Sequence, residues 1–165
     1  MPMTIRTDGL EELNAMLAKL GAQSTEVAKA ALYDGAGVMA DAFTRGTQSI
    51  KTEPFKYVAH PEATGTKRLA SPEEKAALIG KSGVAKFKND GDEVNTVVGI
   101  SGNAGYATVG GKQKPVLLIA RSINSGTSFM QQQPVYRKAV TQNNAAVRTA
   151  IVSKAEKMFN EIIGG

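Results

Sequence analysis

The 165-residue chain has no cysteine and no tryptophan, and only one histidine. Without cysteine there are no disulfides, no thiolate-held zinc, no iron–sulfur cluster and no thiol nucleophile. The single imidazole, His60, leaves no histidine pair for a metal and at most one ring for acid–base work. Aromatic residues make up only 5% of the chain, so the core must be aliphatic and rich in alanine. No apolar run approaches the ~20 residues that cross a bilayer. Residues 1–10 are polar and lack the apolar centre of a signal peptide. These features point away from a membrane and toward a chain made and kept in a reducing cytoplasm, or in something assembled there.

Acidic residues are also missing from one long stretch. Residues 1–93 carry 12 Lys/Arg and 13 Asp/Glu, whereas residues 94–155 carry seven bases and no acid. The seven are Lys112, Lys114, Arg121, Arg137, Lys138, Arg148 and Lys154. An acid-free segment of this length suggests a face that meets a negative partner, either nucleic acid or an acidic protein surface. Only Lys112/Lys114 and Arg137/Lys138 cluster, which is dilute for a dedicated DNA grip. No helix-turn-helix or zinc-finger pattern accompanies them.

What is present reads as a single domain over 1–165, since about 150 residues make one. The pattern predicts a short strand at 3–6, then a helix from an Asp8 cap with Glu11 at capping-box spacing. Leu10, Leu13, Leu17 and Leu20 line one face of it, and Gly21 closes it. A second helix is predicted from Ser24 or Thr25 to about Arg45, on Val27, Ala31, Val38, Ala42 and Phe43. Gly35 and Gly37 within it would either admit another backbone closely or break the helix near 36. Residues 44–71, poor in large apolar side chains, predict a long mobile loop. Ser71-Pro72-Glu73-Glu74 is a helix start, with Ser71 as cap and Glu74 closing the box.

From residue 84 the period changes to two, and Asn89-Asp90-Gly91-Asp92 signals a hairpin turn back into a strand over 94–100. Residues 106–109 predict a third strand or a ragged loop. The run 116–120 predicts a buried element whose type periodicity cannot decide. Pro134 opens a last helix whose stripe runs Val140, Val147, Ile151, Ala155, Met158 and Ile162, interrupted by Asn144.

None of this supplies catalysis. The spacing Gly99, Gly102, Gly105 fails the dinucleotide fingerprint, and Gly111 stands where a phosphate loop needs lysine. His60 lies in a polar loop with no nucleophile motif nearby. The pairs Glu11/Glu12 and Glu73/Glu74 sit in first helical turns, where the dipole favours acids. The expectation is a chain that is not an enzyme, with no cofactor and no metal.

Two stretches carry a resemblance. One is Pro61-Glu62-Ala63-Thr64-Gly65 followed by Lys67-Arg68-Leu69. The other is Gly126-Thr127-Ser128-Phe129-Met130-Gln131-Gln132-Gln133-Pro134, leading into the last helix. With the capped helix Asp8-Gly9-Leu10-Glu11-Glu12-Leu13 and the β-meander between them, the chain resembles the head–tail joining, or tail-completion (tail terminator-like), proteins of long-tailed bacteriophages. The order Lys67-Arg68-Leu69 is shifted against the family pattern, Val135 intervenes before the usual aromatic residue, and 71–82 looks like an insertion.

The resemblance implies an α+β fold, in which a small, mainly antiparallel sheet packs on two or three helices, with a long C-terminal helix. It implies a homo-oligomeric ring, commonly a hexamer, at the neck of the virion. Its partners would be the tail tube protein and a neck stopper or adaptor protein, with DNA passing through the lumen without sequence-specific binding. The subunit would wait in the host cytoplasm before assembly. Candidate interface residues are Lys67, Arg68, Lys112, Lys114, Phe129, Met130, Tyr136 and Arg137, with Phe129 and Met130 either anchoring an interface or tucking under the last helix, and loop 50–70 is expected to order only in the assembled ring. The competing reading is a basic nucleic-acid-binding accessory protein.

Overall fold

The computed structural model describes residues 21, 23–57, 65–90, 93–107 and 110–164. The strand expected at 3–6 and the capped helix of 8–20 lie outside the described residues, as does His60.

Helix α1, Gln23–Gln48, has Glu26 in its first turn and Arg45 in its last, both complementing the helix dipole. Ser24 bonds back to the Gly21 carbonyl through both its N–H (3.2 Å) and its hydroxyl (2.8 Å). The helix passes through Gly35 and Gly37 without a break and runs a turn further than the sequence suggested. Gly35 is where the last helix crosses. A Cβ built there would lie 2.5 Å from Ile151 Cγ1 and 3.3 Å from the Val147 carbonyl oxygen, whereas one on Gly37 would meet nothing. The close-approach reading therefore holds at Gly35 and fails at Gly37.

That last helix, here α4, is Val135–Gly164. At 1.5 Å per residue its 30 residues extend ~45 Å. It runs antiparallel to α1: Gly46 lies against Val135, Arg45 reaches Asn143, and Asp34 faces Lys154 at 4.0 Å. The expected stripe is corrected at its beginning, because Val140 and Asn144 are exposed. The inward line starts instead at Tyr136, Ala139 and Asn143, and joins the expected one at Val147 and Ile151. The first turns are oriented by the core rather than by α1, which rotates Val140 outward. Asn143 bonds the Ala139 carbonyl, and Asn144 needs no buried partner.

Helix α2, Pro72–Leu78, starts as the sequence predicts. The Ser71 hydroxyl accepts from Glu74 N–H (3.2 Å), and the Glu74 carboxylate accepts from Ser71 N–H (2.8 Å). The hairpin follows, but each predicted strand is divided. β1 (Ser82–Val84) pairs antiparallel with β4 (Val98–Ile100), and β2 (Lys88–Asp90) pairs with β3 (Glu93–Asn95). Three residues, 85–87, face two, 96–97, and this extra residue divides the ladder as a bulge does. Ala85 bridges the gap, donating to Val97 O (2.7 Å) and accepting from the Thr96 hydroxyl (2.8 Å). The third strand reads as β5, Asn103–Ala107, paired antiparallel with β6, Gln113–Pro115.

The undecided run becomes helix α3, Val116–Ser125. Val116, Ile119, Ala120 and Ile123 are buried on one side, while Leu117 and Leu118 remain half exposed. The result is an α+β fold of small antiparallel β-ladders packed on helices, with a long C-terminal helix. The core lies at one end of the α1–α4 pair. Ile50, Leu78, Val116, Ile119, Ile123, Met130 and Tyr136 meet there, with Phe43 and Ile100 packed against them.

The long loop expected over 44–71 is corrected in its described parts, while 58–64 lie outside the described residues. Residues 44–48 are helical, Ile50 is core, and segments 50–53 and 65–70 are hydrogen-bonded into the body of the domain. Short polar segments make few apolar contacts, but their backbone groups can still be satisfied by a neighbouring chain segment, and here they are.

Candidate functional site

The described parts of the two stretches that carry the resemblance, 65–69 and 126–134, meet in space, while 61–64 lie outside the described residues. Arg68 N–H donates to the Phe129 carbonyl (2.9 Å), and Gln131 N–H donates to the Arg68 carbonyl (2.8 Å), a parallel bridge between Arg68 and Met130. On the other side, Glu53 N–H donates to Ala70 O (3.0 Å), and the Glu53 carboxylate accepts from Leu69 N–H (2.6 Å). Gln133 completes the seam with its side chain: Oε1 accepts from Lys51 N–H (2.8 Å) and Nε2 donates to Lys51 O (2.9 Å). A side-chain amide here imitates one rung of a β-ladder. Segments 50–53, 65–70 and 127–133 are thereby stitched together without forming a regular sheet.

The second stretch holds its shape for identifiable reasons. Gly126 has φ +75°, and a Cβ on it would lie 3.1–3.3 Å from Gln132 atoms, so glycine suits the position on both counts. Thr127 closes a turn, its N–H donating to Met130 O and its hydroxyl accepting from Met130 N–H, both at 3.0 Å. Asn124 then caps α4, its Oδ1 accepting from Tyr136 and Arg137 N–H at 3.2 Å each.

At the centre of the seam lies a buried ion pair. Arg68 Nη1 and Nη2 donate to the Glu74 carboxylate at 2.7 and 2.8 Å, with the two side chains 6% and 11% exposed. Arg68 Nη1 also donates to Leu69 O (3.0 Å). Burial alone would raise the Glu74 carboxyl. The bonds from Arg68 and Ser71 outweigh it and hold Glu74 below the ordinary carboxylate value. Its bond to Glu74 raises the Arg68 guanidinium, against the opposing effect of burial. The Leu69 N–H, then Lys56, lower Glu53. Burial raises the Tyr106 hydroxyl, and the nearby Glu74 charge adds to the effect.

Aromatic rings cover this charge from outside. The guanidinium carbon lies 5.0 Å from the Phe55 ring centre and 5.8 Å from that of Phe129, within cation–π range. Phe55 is 64% exposed and Phe129 43%. Tyr57 is exposed two residues along from Phe55, and Tyr106 is partly exposed.

The sequence-predicted residues separate accordingly. Lys67, Lys112, Phe129 and Arg137 are exposed, and Lys114 is half-buried. Arg68, Met130 and Tyr136 are interior, and this corrects their reading as surface contacts. Met130 is core. Tyr136 donates to or accepts from the Thr47 hydroxyl (2.8 Å) and packs edge-on to Phe43 (5.4 Å). Burial raises its hydroxyl, and the Thr47 bond opposes this. Sequence reasoning missed Phe55, Tyr57 and Tyr106. The signal for the first two was present as Phe55-Lys56-Tyr57, an aromatic pair in an otherwise polar stretch. Glu74 was assigned only to its helix cap.

Among the described residues, no group of three His, Cys, Asp or Glu side chains could hold a metal ion, and no helix is long and apolar enough to cross a membrane. Both Glu74 oxygens are taken by Arg68, and one also by Ser71. The site is therefore an ionic clasp under an exposed aromatic cap. It can hold a surface in a fixed shape. No known protein family, curated protein or solved structure matches this chain.

Proposed function

We propose that the chain is a structural virion protein, the subunit of a ring at the head–tail junction of a long-tailed phage. It would complete the tail tube and join it to the neck. One observation carries the reading: the Lys67-Arg68-Leu69 loop and the Gly126-to-Pro134 stretch form one hydrogen-bonded seam. The described parts of both elements of the resemblance are thus joined to each other. Phe55 and Phe129 are exposed there over the buried Arg68–Glu74 pair, and interface centres favour exposed aromatic side chains. Partners in this reading are further copies of the chain, the tail tube protein and a neck protein. The subunit is made in the host cytoplasm and ends in the virion neck, with DNA passing through the ring.

The test is native mass and electron microscopy of the purified chain, alone and with tail tubes. The reading expects a closed ring, commonly of about six copies, or density capping the tube end. A monomer that ignores tubes and binds DNA with a steep salt dependence would replace it with the nucleic-acid-binding reading.

A further inference from the structure

On the other side of the seam, where α1 ends and α4 begins, lies a cleft of about 490 Å³. Its charged lining residues are Arg45, Lys51 and Lys138, and no carboxylate lines it. Among the described residues neither lysine makes an ion pair, and Arg45 reaches only the neutral Asn143 amide, at 3.5 Å. The acids nearest in sequence are not part of its lining. Glu53 is bound to Leu69 N–H and Lys56, and Asp41 is not among the lining residues. Three cations line one concavity whose lining holds no carboxylate, a charge arrangement that suits an anionic ligand.

The rest of the lining narrows the ligand. It has no aromatic side chain, so it lacks the stacking platform that single-stranded nucleic acid uses. Its floor is apolar, from Ala42, Leu69, Val135 and Ala139. Its wall carries side-chain amides, among them Gln131 and Gln142. Gln133 on the same wall already pairs with both the N–H and the carbonyl of Lys51, at 2.8 and 2.9 Å. Amides so placed satisfy the main chain of an extended segment. We propose that this cleft is a docking site for an acidic polypeptide segment. The segment's backbone would pair with the wall amides, an aliphatic side chain would rest on the floor, and flanking Asp or Glu would meet Arg45, Lys51 and Lys138. The inference concerns the single chain and does not rest on the ring reading.

The test is fluorescence anisotropy on the full chain at ~0.1 M salt, where exposed charges are only partly screened. The probes are a labelled peptide with one leucine flanked by Asp and Glu, its Asn/Gln counterpart, and labelled single-stranded and duplex DNA. The acidic peptide should bind and the neutral one should not. The K51E/K138E variant should lose at least tenfold in affinity while its circular dichroism and melting stay unchanged, since both side chains are exposed. The K86E/K88E variant, which alters exposed lysines on the hairpin, should bind as the parent does. Failure of the acidic peptide to bind would overturn the proposal. So would equal loss in both variants, or DNA binding that K51E/K138E abolishes, which would assign the cleft to phosphate.

Discussion

Replacing Arg68 with methionine keeps the aliphatic stem between Phe55 and Phe129 but removes the charge, leaving the Glu74 carboxylate buried with only its Ser71 bond. Removing one partner of a buried ion pair costs ~3–5 kcal/mol, because the desolvated charge left behind has lost its compensation. The 11% exposure of Glu74 and its remaining N–H bond place R68M near the lower end, ~3 kcal/mol. Replacing Glu74 with glutamine keeps an oxygen for Ser71 but ends the bidentate bond and leaves the buried Arg68 charge uncompensated, again at a cost of ~3 kcal/mol. The double variant has no uncompensated charge. It should therefore be destabilised by less than the sum of the two, with a coupling of at least ~2 kcal/mol. Urea unfolding of the four proteins measures this directly. For a domain of this size each single change should lower the melting temperature by ~4–12 °C. Effects that add to within ~0.5 kcal/mol would mean that the pair is hydrated and does not act as a clasp.

Two further perturbations test other parts of the argument. At Gly35 an added methyl would overlap Ile151 Cγ1, so Gly35→Ala should cost ~1–3 kcal/mol in overpacking, offset by ~1 kcal/mol of helix propensity. Gly37→Ala has open space and should stabilise by up to ~1 kcal/mol, and thermal melts giving both substitutions the same sign would refute the helix-crossing account. Glu53 and Glu74 are both lowered from an ordinary 4.5. Their contribution is complete above that value and is lost as pH falls through their folded-state values. The melting temperature should decline below about pH 4.5, and less steeply in E74Q; an unchanged acid slope in E74Q would remove Glu74 from the explanation.

Short-range signals are what the sequence carried well. The Ser71–Glu74 box, the helix through 24–45, the hairpin turn near 90 and the Pro134 start all depend on groups within one or two turns of each other. Their hydrogen bonds close locally whatever the rest of the chain does. The α+β class came from the resemblance rather than from any local pattern, and the fold bears it out. Tertiary structure decided what becomes of each side chain afterwards. Arg68 reads as a surface base until Glu74 and the Phe129 backbone enclose it. Val140 reads as core until the turn from 127 to 134 sets the rotation of α4. The run 116–120 becomes a helix because Val116, Ile119, Ala120 and Ile123 find the core on one side. Burial is a property of distant segments meeting, and no local pattern of residues encodes which of them will meet.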